Sequence, residues 1–194
     1  MTKTEAYENA AICYRRAGYE WDAARCYQLA GLHRLAGEIY ESIGSYPEAA
    51  AAYRDARLPV LGAWLLAHRA GLPAEALAML GGLPARPEGA PLRHRLIFAR
   101  CAIAEGSPAD VLAAVVAEVR AALEDRAVVA DPVTEDWAVA VSEAAGRYDL
   151  AALVFAAAVR GGRYGAAQRW NTWSKRVLDT EITLPPAPMP AATA

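Results

Sequence analysis

Three histidines, His33, His68 and His94, are the side chains of this sequence best suited to acid–base chemistry. Imidazole changes its charge near neutral pH and can also bind a metal. A histidine that activates a nucleophile needs a serine or cysteine within hydrogen-bond reach, and none stands at a suitable spacing from these three. We therefore expect all three to be surface or groove residues.

Adjacent carboxylates occur twice, at Glu124–Asp125 and at Glu135–Asp136. Neighbouring residues on a helix point in different directions, so each pair is better explained as a solvated helix end than as a general acid and base. The glycine pairs at 81–82 and 161–162 lack the strand, lysine and hydroxyl of a phosphate-binding loop. We therefore predict that the chain is not an enzyme and holds no nucleotide or other cofactor.

The three cysteines, Cys13, Cys26 and Cys101, are an odd and sparse set. Cys13 and Cys26 precede a tyrosine at equivalent positions, where two later copies of the same pattern have Ile39 and Ala52. A position that accepts cysteine, isoleucine or alanine indicates apolar packing. Because the sequence also has no Cys-x-x-Cys pair, we predict no metal site.

The run Arg169–Arg176 combines cations with aromatic rings. Aromatic side chains among cations can stack on nucleic-acid bases, and the interval Arg163–Arg176 is a candidate for this activity. Helical spacing instead places Trp170 and Trp173 on one face, which favours a helix that closes a hydrophobic core, with a partner-docking surface as a third interpretation. The apolar face comprises Ala166, Trp170, Trp173 and Val177 and leaves Arg169, Thr172, Lys175 and Arg176 outside; the docking surface would comprise Arg169, Trp170, Trp173 and Arg176.

All these residues must be positioned by an element that repeats every 13 residues. Four tyrosines keep this period, three of them have a glycine four positions later, and Arg57 stands where the fourth glycine would be. Self-similarity at a fixed period indicates an array of stacked helices. The repeating residues are Tyr14, Tyr27, Tyr40 and Tyr53, then Gly18, Gly31 and Gly44, with Ala10, Ala23, Ala36 and Ala49 at the same step.

A distant copy extends the pattern toward the C-terminus, because Gly146–Ala158 repeats the spacing of Gly44–Ala56. Helix starts are indicated by a capping box at Ser45 and Glu48, by the cap and proline of Ser107–Asp110, and by a cap at Asp131. We predict helices over 4–17, 20–30, 33–43, 46–56, 60–70, 73–81, 92–105, 108–127, 133–145, 148–160 and 163–178.

Two segments interrupt the predicted helices. Gly81–Pro91 contains three prolines and three glycines and should be a loop, and Thr180–Ala194 is rich in proline and should be a flexible or polyproline II tail. The predicted organisation is regular repeats over 1–80, a loop over 81–91, looser repeats with a C-terminal capping helix over 92–179, and the tail over 180–194.

Charge and hydropathy restrict the partners. The net charge is −2, and the isoelectric point near 5.9 supplies no electrostatic reason to expect nucleic acid or an anionic membrane. No apolar run approaches the roughly 20 residues that span a bilayer. The segment 1–8 lacks the apolar core of a secretion signal, so we expect a cytoplasmic protein without membrane contact.

The order of small, aromatic and glycine residues resembles the tetratricopeptide repeat. Gly37, Tyr40, Gly44, Tyr46, Ala49, Tyr53 and Ala56 carry the likeness, and Ala11, Tyr14, Gly18, Ala23, Tyr27 and Ala30 form a second copy. The 26-residue hairpin is shorter than the usual 34-residue repeat and is similar to the hairpins of soluble NSF-attachment proteins and clathrin-like arrays. The resemblance implies an all-α, right-handed solenoid of about five to six antiparallel helix hairpins, with a concave face lined by the first helix of each hairpin.

The resemblance also implies a binding groove on that concave face. Its residues would be Glu8, Ile12, Arg15, Arg34, Glu38, Glu41, Leu65, His68 and Arg100. We therefore predict a non-catalytic scaffold or adaptor that binds a peptide, helix or domain of another protein. The alternatives are a regulatory or substrate-presenting subunit of an enzyme assembly, self-association, and nucleic-acid binding through the C-terminal helix.

Overall fold

The computed structural model describes residues 2–84, 86–107, 110–129 and 131–182, and in these ranges every regular element is helical, so the predicted all-α class is confirmed. All eleven predicted helices are present, and their ends lie within about three residues of the predicted ones, except that the fifth helix ends five residues early and a π-helical turn completes its predicted length. They are α1 Lys3–Arg16, α2 Glu20–Leu29, α3 His33–Ser42, α4 Tyr46–Asp55, α5 Pro59–Leu65, α6 Pro73–Met79, α7 Leu92–Ala104, α8 Asp110–Glu124, α9 Pro132–Ala144, α10 Tyr148–Arg160 and α11 Ala166–Leu178. A π-helical turn, Leu66–Ala70, continues α5, and a 3-10 turn lies at Pro87–Gly89.

A recurring hydrogen bond at the end of each short helix explains the spacing of tyrosine and glycine. The carbonyl of Tyr14 accepts from the amide of Tyr19 at 2.9 Å, and Gly18 between them has a φ of 80°. This is a Schellman turn, which needs one residue in the left-handed conformation two places after the helix. The same bond joins Tyr27 to Leu32, Tyr40 to Ser45 and Tyr53 to Leu58 at 2.8–2.9 Å.

The fourth turn keeps this geometry without a glycine. Arg57 has a φ of 62°, so its backbone adopts the left-handed conformation that glycine supplies in the other copies. A side chain in this conformation costs about 1–2 kcal/mol because its Cβ crowds the following carbonyl. The period is therefore preserved in the backbone where the sequence departs from it.

Three of the four periodic tyrosines form the core of the first helices. Tyr27, Tyr40 and Tyr53 expose 4%, 2% and 5% of their surface, whereas Tyr14 exposes 41%. Packing around them is close, since a Cβ added to Gly37 would lie 2.9 Å from the ring of Tyr53. Tyr14, in the first helix of the described chain, lacks the cover that the later copies receive.

The helices fall into two compact units. Unit 1 comprises Met1–Ala90 with Arg100–Gly106, and within it each of α1 to α5 packs against the next helix along the chain. Unit 2 comprises Pro91–Ala99 with Ser107–Ala194, and within it α10 packs against α8, α9 and α11.

The structure confirms the predicted helix cap at Asp131 and contradicts the one at Ser45. Asp131 caps α9, because its carboxylate accepts from the amide of Val133 at 3.2 Å. The capping box at Ser45 is wrong, since the Ser45 side chain makes no cap bond and its amide already donates to the carbonyl of Tyr40. Pro108 and residues 183–194 of the predicted tail lie outside the described residues.

Candidate functional site

The first two helices form a small depression that contains two of the predicted groove residues. Ile12 and Arg15 line it together with Arg16, Glu20 and Tyr27, and its volume is about 300 Å³. Ile12 is exposed, and the Arg15 guanidinium lies 3.9 Å from the Glu20 carboxylate. The depression thus combines an apolar contact with a cation. Glu8 is also exposed on α1.

A second depression, of about 610 Å³, contains Arg34 and Glu38 of α3. The Nε of Arg34 donates to Oε1 of Glu38 at 2.9 Å, one helical turn away. Arg57, with its left-handed backbone, also lines this depression. His33 lines the same depression, as expected for a groove histidine.

The other predicted groove residues are in different environments. Glu41 accepts a 2.8 Å hydrogen bond from the buried Tyr53 hydroxyl, whose pKa is raised by burial and by this carboxylate. Leu65 faces the interior of unit 1 and is only 4% exposed. It therefore belongs to the core and presents almost no surface to a partner. The His68 ring stacks on Trp64 at 4.5 Å, and Arg100 is half-buried on α7.

The C-terminal helix buries the two indoles that motivated a second surface. Trp170 and Trp173 stack on each other at 5.4 Å, and each ring lies 5.6 Å from Phe155 of α10. Both are buried, at 3% and 4% exposure, so neither indole stands free on the surface as the proposed second surface would need. Helical periodicity predicted this shared inward face correctly.

Two arginines near these indoles, Arg169 and Arg176, form ion pairs with glutamates of α9. Arg169 forms a bidentate ion pair with Glu135, whose side chain is only 2% exposed, so Glu135 is not the solvated helix end predicted for it. Arg176 pairs with Glu143 at 2.7 Å, and the same carboxylate accepts from the indole N–H of Trp173.

Arg163 binds the end of another helix. Its guanidinium donates to four backbone carbonyls after and within the last turn of α8, at 2.8–2.9 Å. Helix ends leave such carbonyls without partners, so Arg163 acts as a C-terminal cap for α8. The accepting residues are Ala122, Leu123, Asp125 and Val128. Arg163, Arg169 and Arg176 of the basic interval 163–176 are therefore held by internal contacts, whereas Lys175 is exposed.

A cleft of about 580 Å³ opens between α9, α10 and α11 in unit 2. Its apolar lining includes Val139, Phe155 and Trp173. The polar side chains at the cleft are Asp136, Glu143, Gln168, Arg169, Thr172 and Arg176, with Tyr164 at the edge. A concave apolar surface with a few polar groups is the common form of a ligand site. No sequence pattern indicates this cleft, because its residues come from three helices and the segment before α11.

The cysteines are not equivalent in the structure. Cys13 is exposed, so the packing interpretation is wrong for it, because its position on α1 faces solvent; Cys26 is half-buried. Cys101 is buried, its Sγ lies 3.6 Å from the carbonyl of Pro73, and burial raises its pKa to about 11.

The described part of the chain contains neither a cluster of metal-binding side chains nor a helix able to cross a membrane. Across residues 2–84, 86–107, 110–129 and 131–182, no three His, Cys, Asp or Glu side chains cluster in a way that could hold a metal ion. None of the helices formed by these residues has the length and apolar character needed to cross a membrane.

Comparison with protein-family models, with curated proteins and with solved structures finds no match to this chain.

Proposed function

We propose that this chain is a non-catalytic adaptor that binds a peptide, helix or domain of another protein through unit 1. The proposal includes a tetratricopeptide-like arrangement of short hairpins with its groove on α1 and α3. Its support is a series of short helices packed in chain order, with the same Schellman turn repeated after each of the first four. Such arrays present extended surfaces that suit macromolecular partners.

One observation carries the proposal: large aromatic side chains remain exposed in the first repeat. Tyr14, Tyr19 and Trp21 are all exposed, although the tyrosines equivalent to Tyr14 in the next three helices are buried. The rings of Tyr14 and Tyr19 meet edge to face at 6.4 Å, and Arg25 lies 5.9 Å from the ring of Trp21. Aromatic and arginine side chains are enriched where proteins bind one another, and exposed apolar clusters mark such surfaces.

The test is capture of partners from the native host with defined variants as bait. Tyr19→Ser and Trp21→Ser, made together, should remove the partner that wild-type protein retains, because the aromatic contact area is lost. A control, Val129→Ser, removes an exposed apolar side chain from unit 2 and should leave that partner bound. Unchanged capture by the double variant would contradict an adaptor surface at this end of unit 1.

The ion pair of α3 allows a second and sharper test of the groove. Arg34→Glu alone should weaken capture, because it places two carboxylates one turn apart. The swapped pair Arg34→Glu with Glu38→Arg restores the internal bond with reversed charges. If the swap captures the partner as well as wild type does, these charges maintain local structure and do not contact the partner.

A further inference from the structure

The cleft between α9, α10 and α11 has one carboxylate that forms no ion pair with the residues that the structure describes. Arg169 is held by Glu135, and Arg176 is held by Glu143. This leaves Asp136, whose carboxylate accepts no hydrogen bond from any residue that the structure describes, although Arg169 lies near enough to attract it electrostatically. Together with Glu135 behind Arg169, three carboxylates face two guanidiniums here, so the Asp136 carboxylate is left without an ion pair among the described residues.

The edge of the same cleft carries an unusually exposed aromatic ring. Tyr164 is 99% exposed, while its backbone carbonyl accepts a 2.6 Å hydrogen bond from Arg169, which holds the segment in place. The hydrogen bond restrains the backbone of Tyr164, while the face of its ring remains open to solvent. The face of a tyrosine ring attracts cations, with a free energy of about 0.5–1 kcal/mol at exposed sites.

Apolar side chains line the cleft that contains the Asp136 carboxylate and the Tyr164 ring. Val139 of α9, Phe155 of α10 and the ring of Trp173 contribute to it. This combination suits a group that has an aliphatic stem and a charged end, because the stem packs on the apolar lining and the charge remains at the rim.

We propose that this cleft binds the cationic side chain, arginine or lysine, of a segment of a partner protein. The charged end pairs with Asp136 and lies over Tyr164, and the aliphatic stem lies along the apolar lining of the cleft. The inference concerns unit 2 alone, so it stands whether or not unit 1 holds a partner.

Other kinds of ligand fit the cleft less well. An anion would have to compete with Glu135 and Glu143 for guanidinium groups that already make two hydrogen bonds or more to them. A neutral apolar group would cover Asp136 without supplying a donor, which leaves a carboxylate desolvated and unpaired. The surrounding protein already raises the pKa of Asp136 by reducing its hydration, and a bound cation would offset that cost.

The test uses a small cation and its neutral isostere as probes. N-acetyl-arginine N-methylamide is titrated into the full-length protein, and binding is followed by the NMR signals of the Trp173 indole N–H and the Arg169 Nε–H. N-acetyl-citrulline N-methylamide has nearly the same shape without the charge. We expect saturable shifts with the arginine probe and a dissociation constant at least about tenfold higher for the citrulline probe.

Variants then assign the contact. Asp136→Asn should raise the dissociation constant of the arginine probe about tenfold, and Tyr164→Ala should raise it by a smaller factor. Asp149→Asn is the matched control, since Asp149 is an exposed carboxylate of the same unit that Arg147 already holds; it should leave binding unchanged.

Three results would overturn the proposal. The first is equal binding of the arginine and citrulline probes, and the second is undiminished binding by Asp136→Asn. The third is binding of agmatine, a free amine that lacks the peptide groups, in the absence of binding by the peptide-like probe, because the ligand would then be a small amine and not a protein side chain.

Discussion

The carboxylate of Glu135 and the guanidinium of Arg169 form a partly buried ion pair in unit 2. Nη2 of Arg169 donates to both carboxylate oxygens, at 2.7 and 2.8 Å, and Nε donates to Oε1 at 3.2 Å. Glu135 is 2% exposed and Arg169 is 36% exposed, so the carboxylate depends on this partner for nearly all its solvation. The pair joins α9 to α11 next to the cleft.

Removal of Arg169 should destabilise the protein strongly. We expect Arg169→Met to lower the free energy of unfolding by about 3 kcal/mol, because it leaves Glu135 charged, buried and unpaired. The double variant Glu135→Leu with Arg169→Met should recover most of this loss, since an apolar pair has no desolvation cost. Urea denaturation of both variants measures the effect. If the single variant were as stable as wild type, the pair would not be the main support of Glu135.

Arg57→Gly should stabilise unit 1. Glycine adopts the left-handed conformation without the steric cost that Arg57 bears, and the gain exceeds its greater loss of backbone entropy by about 0.5–1 kcal/mol. Gly44→Ala is the converse change: an added Cβ has open space there, so only the φ of 77° opposes it, and we expect a loss of about 1 kcal/mol. Denaturant unfolding compares the two; destabilisation by Arg57→Gly would show that the Arg57 side chain makes stabilising contacts that outweigh the strain.

Gly161→Ala should disrupt the packing of α10 on α8. A Cβ at this position would lie 1.9 Å from the carbonyl oxygen of Leu123, and the φ of −72° is ordinary, so contact alone opposes the change. We expect a loss of at least about 1–3 kcal/mol, because backbone atoms must move. Gly89→Ala, where a Cβ would meet nothing within 4 Å, should be neutral within about 0.5 kcal/mol. Similar thermal unfolding of the two variants would contradict the close approach.

Asp131 should make stability depend on pH in the acid range. Burial by itself raises the pKa of Asp131, but hydrogen bonds from Arg93 and Thr134 outweigh it, so the folded pKa is lowered. Its contribution is therefore complete above the unfolded pKa of about 3.9 and is lost as the pH falls through the lower folded value.

The matched variant is Asp131→Asn, which keeps an acceptor for the N-cap of α9 and removes the charge. The difference in free energy of unfolding between wild type and this variant should be constant above about pH 5 and shrink in acid. In an Arg93→Gln background the same comparison should show little pH dependence, because the main opposing charge is gone. A difference that grew in acid would have the wrong sign for a lowered pKa.

Thiol labelling should separate the cysteines. Iodoacetamide near pH 8 should modify the exposed Cys13 readily, whereas Cys101 should react only when the protein opens, because it is buried and its pKa is raised to about 11. Mass spectrometry of peptides after timed labelling measures both rates. Equal rates for Cys13 and Cys101 in folded protein would contradict the burial of Cys101.

Local hydrogen bonding made the helices and turns predictable from the sequence. The bond from the carbonyl of Tyr40 to the amide of Ser45 and the left-handed Gly44 involve only six consecutive residues, so the sequence pattern records them directly. The inward face of Trp170 and Trp173 follows from helical periodicity in the same way.

Contacts between distant residues were decided by the tertiary structure alone. Tyr14 has the same local pattern as Tyr27 but is exposed, since burial depends on which helices lie alongside. Leu65 is buried for the same reason, and Glu135 meets Arg169 across 34 residues. The cleft that contains Asp136 is built from three helices, and no local spacing encodes how they pack. The sequence by itself determined the helices and their turns. Tertiary packing determined which side chains remained available to bind.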